Sequence, residues 1–267
     1  MAKKRGKDEE KLNYSAAVRE LKADGPERLY LLWGPEDYLR EQYLAQLKKI
    51  CLPEGEDDFS YKRMDGPGLD PTRLREALDA IPFMSERSFV ELRNVDINKL
   101  ANADECMKLL EDIPDYCTVA FVQSAQFEPD GRLKFVKALR GEAKELKFTQ
   151  QSQGMLTDWI VRRFAAAGKS IELDAAQRLI FISGDLMSRL IPEIDKIAAY
   201  AKGERVTVKD VDAVASHIPE AVIFEMTELI SQKKYNSAMS VLAELLSDKN
   251  NEPIAMTAML GLQMRKL

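Results

Sequence analysis

The sequence predicts an α/β protein whose first half is a largely parallel sheet and whose second half is helical. Three observations carry this reading. Short apolar runs alternate with helical patterns between Leu29 and Phe148. The first run, LYLLW, passes through Gly34-Pro35 straight into an amphipathic helical pattern. Beyond about Gln151 the strand patterns stop. Strands separated by helices of ten or more residues need crossover connections, which implies a parallel sheet covered on both faces.

The elements follow in chain order. Residues 29–33 are an apolar strand. Residues 35–51 are a helix, with Tyr38, Leu39, Tyr43, Leu44 and Leu47 at helical spacing and Pro35 at its start. Residues 59–64 alternate apolar and polar. Leu74 and Leu78 mark a short helix over 71–80. Residues 88–95 are a strand in which Phe89, Glu91 and Arg93 alternate with Val90 and Leu92. A helix over 102–113 stops before Pro114, and CTVAFV at 117–122 is a strand without charge. A helix over 130–140 and a strand over 144–148 complete the alternation.

From Gln151 onward helices alone are expected. Residues 154–167 place Leu156, Trp159, Ile160 and Phe164 on one face, with Gly168 as C-cap. Asp174 caps a helix over 175–183. Residues 186–201 follow, with Ile191, Ile194, Ile197 and Ala198 spaced for burial, and Thr207 caps a short helix. A last helical set begins near Ala221 and runs to Leu267 on an apolar pattern. Three helices ending on an apolar face leave a core open, so this region is expected to be an incomplete domain.

Bulk properties narrow the function. A chain of 267 residues is long for one domain. With 45% hydrophobic and 31% charged residues it has an ordinary globular composition. A net charge of −5 argues against strong nucleic-acid binding through overall charge. Its apolar runs fall short of the roughly 20 residues that cross a bilayer. The opening MAKKRGKDEEK lacks an apolar stretch after its basic residues, so it reads as a solvated tail rather than a secretory signal. Cys51, Cys106 and Cys117 stand far apart and read as reduced, buried hydrophobes of a cytoplasmic protein. A lone His217 without a partner motif is a poor basis for acid–base or metal chemistry. No catalytic residue, metal ligand or cofactor site is expected.

Three stretches stand out as candidate sites. In LYLLWGPEDYLREQ the strand-turn-helix of a nucleotide site is expected without its chemistry. A phosphate loop needs several glycines, a Lys and a Ser or Thr. Here Gly34 is followed by Pro35, which has no N–H, and by Glu36 and Asp37, which repel phosphate. These two acids also suit the first turn of a helix, where they favour the dipole. In Ile81-Pro82-Phe83-Met84-Ser85-Glu86-Arg87, four apolar residues sit in a connection that is normally polar. Pro82 stiffens the approach, and Phe83 and Met84 are residue types that anchor in partner pockets. The same composition fits a local plug folded under the sheet, and the residues alone leave both open. In the third stretch, SGDLMSRL, Asp185 suits a cap, and Arg189 suits a salt bridge or a neighbouring subunit better than a phosphate. Lys134, Lys137, Arg140, Lys144 and Lys147 form a basic run best explained as a solvated face.

Together, LYLLWGPEDYLREQ, IPFMSERSFVELRNV and SGDLMSRLIPEIDKIAAYAKGERVTVKDVDAV resemble the delta subunit of the bacterial DNA polymerase III clamp loader. The resemblance runs from about Tyr14 onward. It implies a tail over 1–13 and an AAA+-like α/β domain with a degenerate phosphate loop over 14–150. It further implies a helical lid domain over 151–218 and the first part of a helical collar over 219–267. The implied function is non-enzymatic. The subunit binds the sliding clamp and opens it with an apolar wedge, which by position is Phe83 and Met84 presented by Pro82. Implied partners are the clamp, the gamma/tau and delta-prime loader subunits through the collar, and primed DNA weakly or indirectly, with no membrane and no cofactor. The alternative from another class is an atypical phosphate-loop ATPase or DNA-processing protein, which nucleotide binding would distinguish.

Overall fold

The computed structural model describes residues 13–53, 55, 60–82, 85–247, 257–259, 261 and 265. It divides into two compact units, 1–150 and 151–267.

In the first unit five strands form one sheet in the order β2-β3-β4-β1-β5. They are β1 (Leu29–Trp33), β2 (Tyr61–Asp65), β3 (Ser88–Arg93), β4 (Cys117–Val122) and β5 (Lys144–Lys147). Every pairing is parallel. β1 lies between β4 and β5, and both β1 and β4 are buried along their whole length. This accounts for their uninterrupted apolar sequences.

Helices cover both faces. Leu74 and Leu78 of α3 (Pro71–Leu78), Cys106 and Leu110 of α4 (Ala103–Glu111), and Phe135, Val136 and Leu139 of α5 (Lys134–Glu142) share one core with Leu31, Val90, Leu92, Val119 and Phe121. On the other face α2 (Asp37–Cys51) buries Tyr43, Leu44 and Leu47, preceded in the chain by α1 (Tyr14–Asp24). There Tyr43 packs between Tyr30 and Phe148, with ring centroids 6.3 and 5.9 Å away. All three cysteines are free and buried.

The second unit packs α6 (Gln153–Ala166), α7 (Leu173–Ser183), α8 (Met187–Tyr200) and α9 (Val208–Val214) around Leu156, Ile160, Phe164, Leu179, Leu190, Ile194 and Ile197. α10 (Pro219–Ser231) and α11 (Tyr235–Ser247) follow. Thr207 caps α9 in a reciprocal box with Asp210.

Several expectations need correction. The second half is not helical throughout: β6 (Ser170–Ile171) and β7 (Arg205–Val206) pair in parallel. The cap of α7 is Glu172, while Asp174 accepts the Ala175 N–H at 2.8 Å from inside the helix. Leu186, not Asp185, is the cap residue of α8. Trp159 is only half-buried, whereas Thr157 is buried with its hydroxyl bonded to the Gln153 carbonyl at 2.8 Å. Arg189 is exposed, with no ion pair among the described residues.

Candidate functional site

The β1–α2 turn sits where the chain's path across the sheet reverses. From β1 the connections lead out to β2 and β3 and return to β4, while β5 lies on the far side. In open parallel sheets such a switch point, at the carboxyl ends of the strands, is the usual ligand crevice. Here the protein fills it with its own groups. Phe148, just after β5, donates its N–H to the Trp33 carbonyl at 2.7 Å and accepts the Glu36 N–H at 3.1 Å. Gly34 has φ +119°, and a Cβ there would lie 2.4 Å from the Phe148 carbonyl oxygen. The Asp37 N–H turns back to the Pro35 carbonyl at 3.1 Å. Pro35 donates nothing.

The side chains reinforce this closure. Glu36 is fully buried. The helix begins at Asp37 rather than Pro35, because Glu36 has ψ 81° and serves as the N-cap residue. The acids at 36 and 37 therefore do not both lie in the first turn as expected. One turn on, Arg40 is buried and donates to the Gly34 carbonyl at 2.8 Å. Burial pulls the Arg40 guanidinium below its usual range, partly offset by Glu41 and Asp37. Just past the neighbouring strand β4, buried Gln123 donates its side-chain amide to the Val95 carbonyl at 3.1 Å and its N–H to the Leu32 carbonyl at 2.9 Å. The turn thus offers a phosphate neither a lysine nor a free row of N–H groups. Instead it presents a buried carboxylate.

A second polar feature escaped sequence reasoning. Glu91 of β3 is fully buried on the α2 face, where it meets the Lys48 ammonium at 2.5 Å and the Tyr61 hydroxyl at 2.7 Å. Arg93 bonds Glu91 through Nε and holds Glu41 of α2 with two further bonds, at 2.9 and 2.6 Å. This network ties α2 to the outer strands β2 and β3. The alternation of residues 88–95 signals two faces, but not that α2 covers the charged one.

The apolar connection leads into the amino end of β3, the end of the strands opposite the β1–α2 turn. Ile81 is 75% exposed, and Pro82 is half-buried. Phe83 and Met84 lie outside the described residues. The Ser85 hydroxyl donates to the Arg87 carbonyl at 2.7 Å, and the Ser88 N–H donates to the Tyr116 carbonyl at 2.8 Å. The basic run at the end of this unit is largely engaged locally. Lys134 pairs with Asp104, Lys144 with Glu20 and Arg140 with Glu145, while Lys147 lies 4.7 Å from the Trp33 ring centre. His217 is exposed. Among the described residues no group of three or more His, Cys, Asp or Glu is placed to hold a metal ion, and no helix is long and apolar enough to cross a membrane.

The strand order and the filled switch point define a five-stranded parallel α/β module whose switch-point turn is closed by its own backbone. Residues 30–149 match the family model of DNA polymerase III, delta subunit. The chain is 27% identical over 249 residues to DNA polymerase III subunit delta of Bacillus subtilis, covering 89% of this chain and 70% of that protein. Among solved structures, Bacillus subtilis DNA clamp loader delta protein superposes with TM-score 0.58 at 22% identity, covering 94% of this chain and 76% of that one. The Thermotoga maritima RuvB Holliday junction branch migration motor superposes with TM-score 0.51 at 15% identity, covering 86% and 79%, a likeness of fold alone. The chain is thus similar to the DNA polymerase III delta subunit, through the family model over residues 30–149 and through relatives that match most of its length.

Proposed function

We propose that this chain binds the sliding clamp of the replicative polymerase and opens it mechanically, without binding or hydrolysing ATP. The observation that carries the reading is the closed β1–α2 turn in a chain similar to the DNA polymerase III delta subunit. Glu36 is buried at the turn after β1, and the Phe148 backbone occupies the approach to Gly34. A module that keeps the nucleotide fold but fills the site itself fits work done by binding other proteins.

Pro82, Phe83 and Met84 are the proposed contact. Met and aromatic side chains on a proline-stiffened connection suit an apolar pocket on a partner. The exposure of Ile81 immediately before them supports an apolar connection that faces solvent. Opening follows from differential affinity: a wedge that binds the open ring better than the closed one shifts the ring toward opening by that difference. ATP would then act on sister subunits, gamma/tau, which join this chain and delta-prime through a collar that includes residues 219–267. In this reading residues 151–218 are the lid, primed DNA is met weakly or through the assembly, and the protein works in the cytoplasm.

The test is calorimetric or gel-filtration binding to the purified cognate clamp, comparing the wild type with the double variant Phe83→Ala, Met84→Ala. The double variant should weaken binding by roughly 2–4 kcal/mol, the scale of paired hot-spot residues. Its melting temperature should stay near that of the wild type. A variant that loses stability but binds the clamp normally per folded molecule would instead make the two residues a core plug.

A further inference from the structure

Within the second unit, Arg178 of α7 reaches two other helices at once. Its Nε donates to Asp212 of α9 at 2.7 Å, and an Nη donates to Glu225 of α10 at 2.8 Å. Its guanidinium lies 5.5 Å from the centre of the Phe181 ring, one turn further along α7. Phe181 in turn meets Phe224 of α10 edge-on, with ring centres 5.3 Å apart at 79°. Arg178 and Phe181 on α7 thus grip Phe224 and Glu225 on α10, with Asp212 holding the guanidinium from behind.

This grip is not a core. Phe181 and Phe224 remain 38% and 42% exposed. The side chains of Arg178, Asp212 and Glu225 remain 29%, 44% and 31% exposed. Ion pairs reached by solvent are weak and screened by salt. Rings left this exposed recover only part of their apolar burial. The chain just before α10 is held differently. The Ile218 N–H donates to the Ile182 carbonyl at 2.7 Å, and the Ser216 N–H donates to Glu193 at 2.9 Å. The Ser183 hydroxyl also donates to the Ser216 carbonyl at 3.0 Å. The connection is therefore fixed by one backbone bond and two bonds to side chains, while α10 adds the solvent-reached clasp to its buried Ala221, Ile223, Met226 and Thr227.

We propose that Arg178 is a releasable latch that tightens α10 against α7, so that α10 loosens about the connection at 215–218 when the latch opens. The fork is what makes it a latch. Its planar guanidinium meets Asp212 and Glu225 in two directions, a geometry a lysine ammonium does not reproduce. The inference concerns the second unit alone and stands or falls independently of clamp binding.

Hydrogen exchange on the full 267-residue chain tests it. With Arg178→Gln, amides of α10 should exchange about threefold faster or more, while those of α6 and α8 keep wild-type rates. Arg178→Lys should fall between. Raising salt to about 1 M, where screening acts within about 3 Å, should speed α10 in the wild type and leave Arg178→Gln unchanged. Unchanged exchange of α10 in Arg178→Gln overturns the proposal. So does an equal rise across α6–α9, or failure of that variant to fold, because either makes Arg178 a prop of the whole unit.

Discussion

Gly34 and Phe148 approach so closely that no side chain fits between them. A Cβ on Gly34 would stand 2.4 Å from the Phe148 carbonyl oxygen and 2.8 Å from its nitrogen, at a φ of +119°. Both obstacles are backbone, so neither can rotate away. Gly34→Ala should therefore destabilise the protein by on the order of 2–4 kcal/mol, combining left-handed strain with overpacking. Urea unfolding measures this. A loss below about 0.5 kcal/mol would mean that the segment after β5 is free to move off the turn.

The same contact bears on nucleotide. The Glu36 N–H is committed to Phe148, and its side chain is buried without access for a triphosphate. A calorimetric titration with ATP and magnesium should show no binding heat. Micromolar affinity would require the turn to open and would remove the support for a non-nucleotide role.

Much of this was legible in the sequence, and the misses share a cause. Apolar runs located β1 and β4, because strands buried along their whole length leave a continuous signal, whereas β2 and β3 showed only as alternation and β5 as a short mixed segment. The start of α2 was misplaced by two residues, since the bond that stops the helix at Glu36 comes from Phe148, more than a hundred positions away. β6 and β7 were missed because two residues each are too few to show a period of two. The alternation around Glu91 did not reveal its burial, because Lys48 and Tyr61, which meet it, are distant in sequence. The apolar connection at 81–87 was visible from composition, and Ile81 in it is 75% exposed.

Glu91 supplies a pH signature. Burial alone pushes its carboxyl up, but hydrogen bonds from Lys48, Tyr61 and Arg93 outweigh that and hold it below its ordinary 4.5. A folded-state value below the unfolded one adds stability that is complete above about pH 4.5 and is lost as pH falls through the folded value. Glu91→Gln should flatten this part of the acid limb in urea unfolding between about pH 7 and pH 3. Glu91→Ala, which takes the carboxylate from the partly buried Lys48 and Arg93, should cost about 1–3 kcal/mol at neutral pH. An acid limb unchanged by Glu91→Gln would assign the pH dependence to other carboxylates.

Thr207 gives a local counterpart. Its N–H and hydroxyl both reach Asp210, at 2.9 and 2.7 Å, and these bonds hold the Asp210 carboxyl below its usual range. Thr207→Ala should cost about 1 kcal/mol, the usual worth of an N-cap. Exchange should quicken first in α9, and a loss spread evenly over α6–α8 would show that the box supports more than its own helix.

The connection from α3 to β3 should separate stability from binding. Leu78, the last residue of α3, is 3% exposed and belongs to the sheet core, whereas Ile81, three residues later, is 75% exposed. Leu78→Ala removes buried atoms and leaves a cavity, so it should cost about 2–5 kcal/mol. Ile81→Ala removes little buried area, so unfolding should change by no more than about 0.5 kcal/mol. If the clamp contact proposed for Pro82, Phe83 and Met84 is correct, Ile81→Ala should still weaken clamp binding by about 1 kcal/mol, because an exposed isoleucine beside the anchors loses its water on docking. Leu78→Ala should bind normally once corrected for the folded fraction. The reverse pattern, with binding following Leu78 and indifferent to Ile81, would move the contact away from this connection.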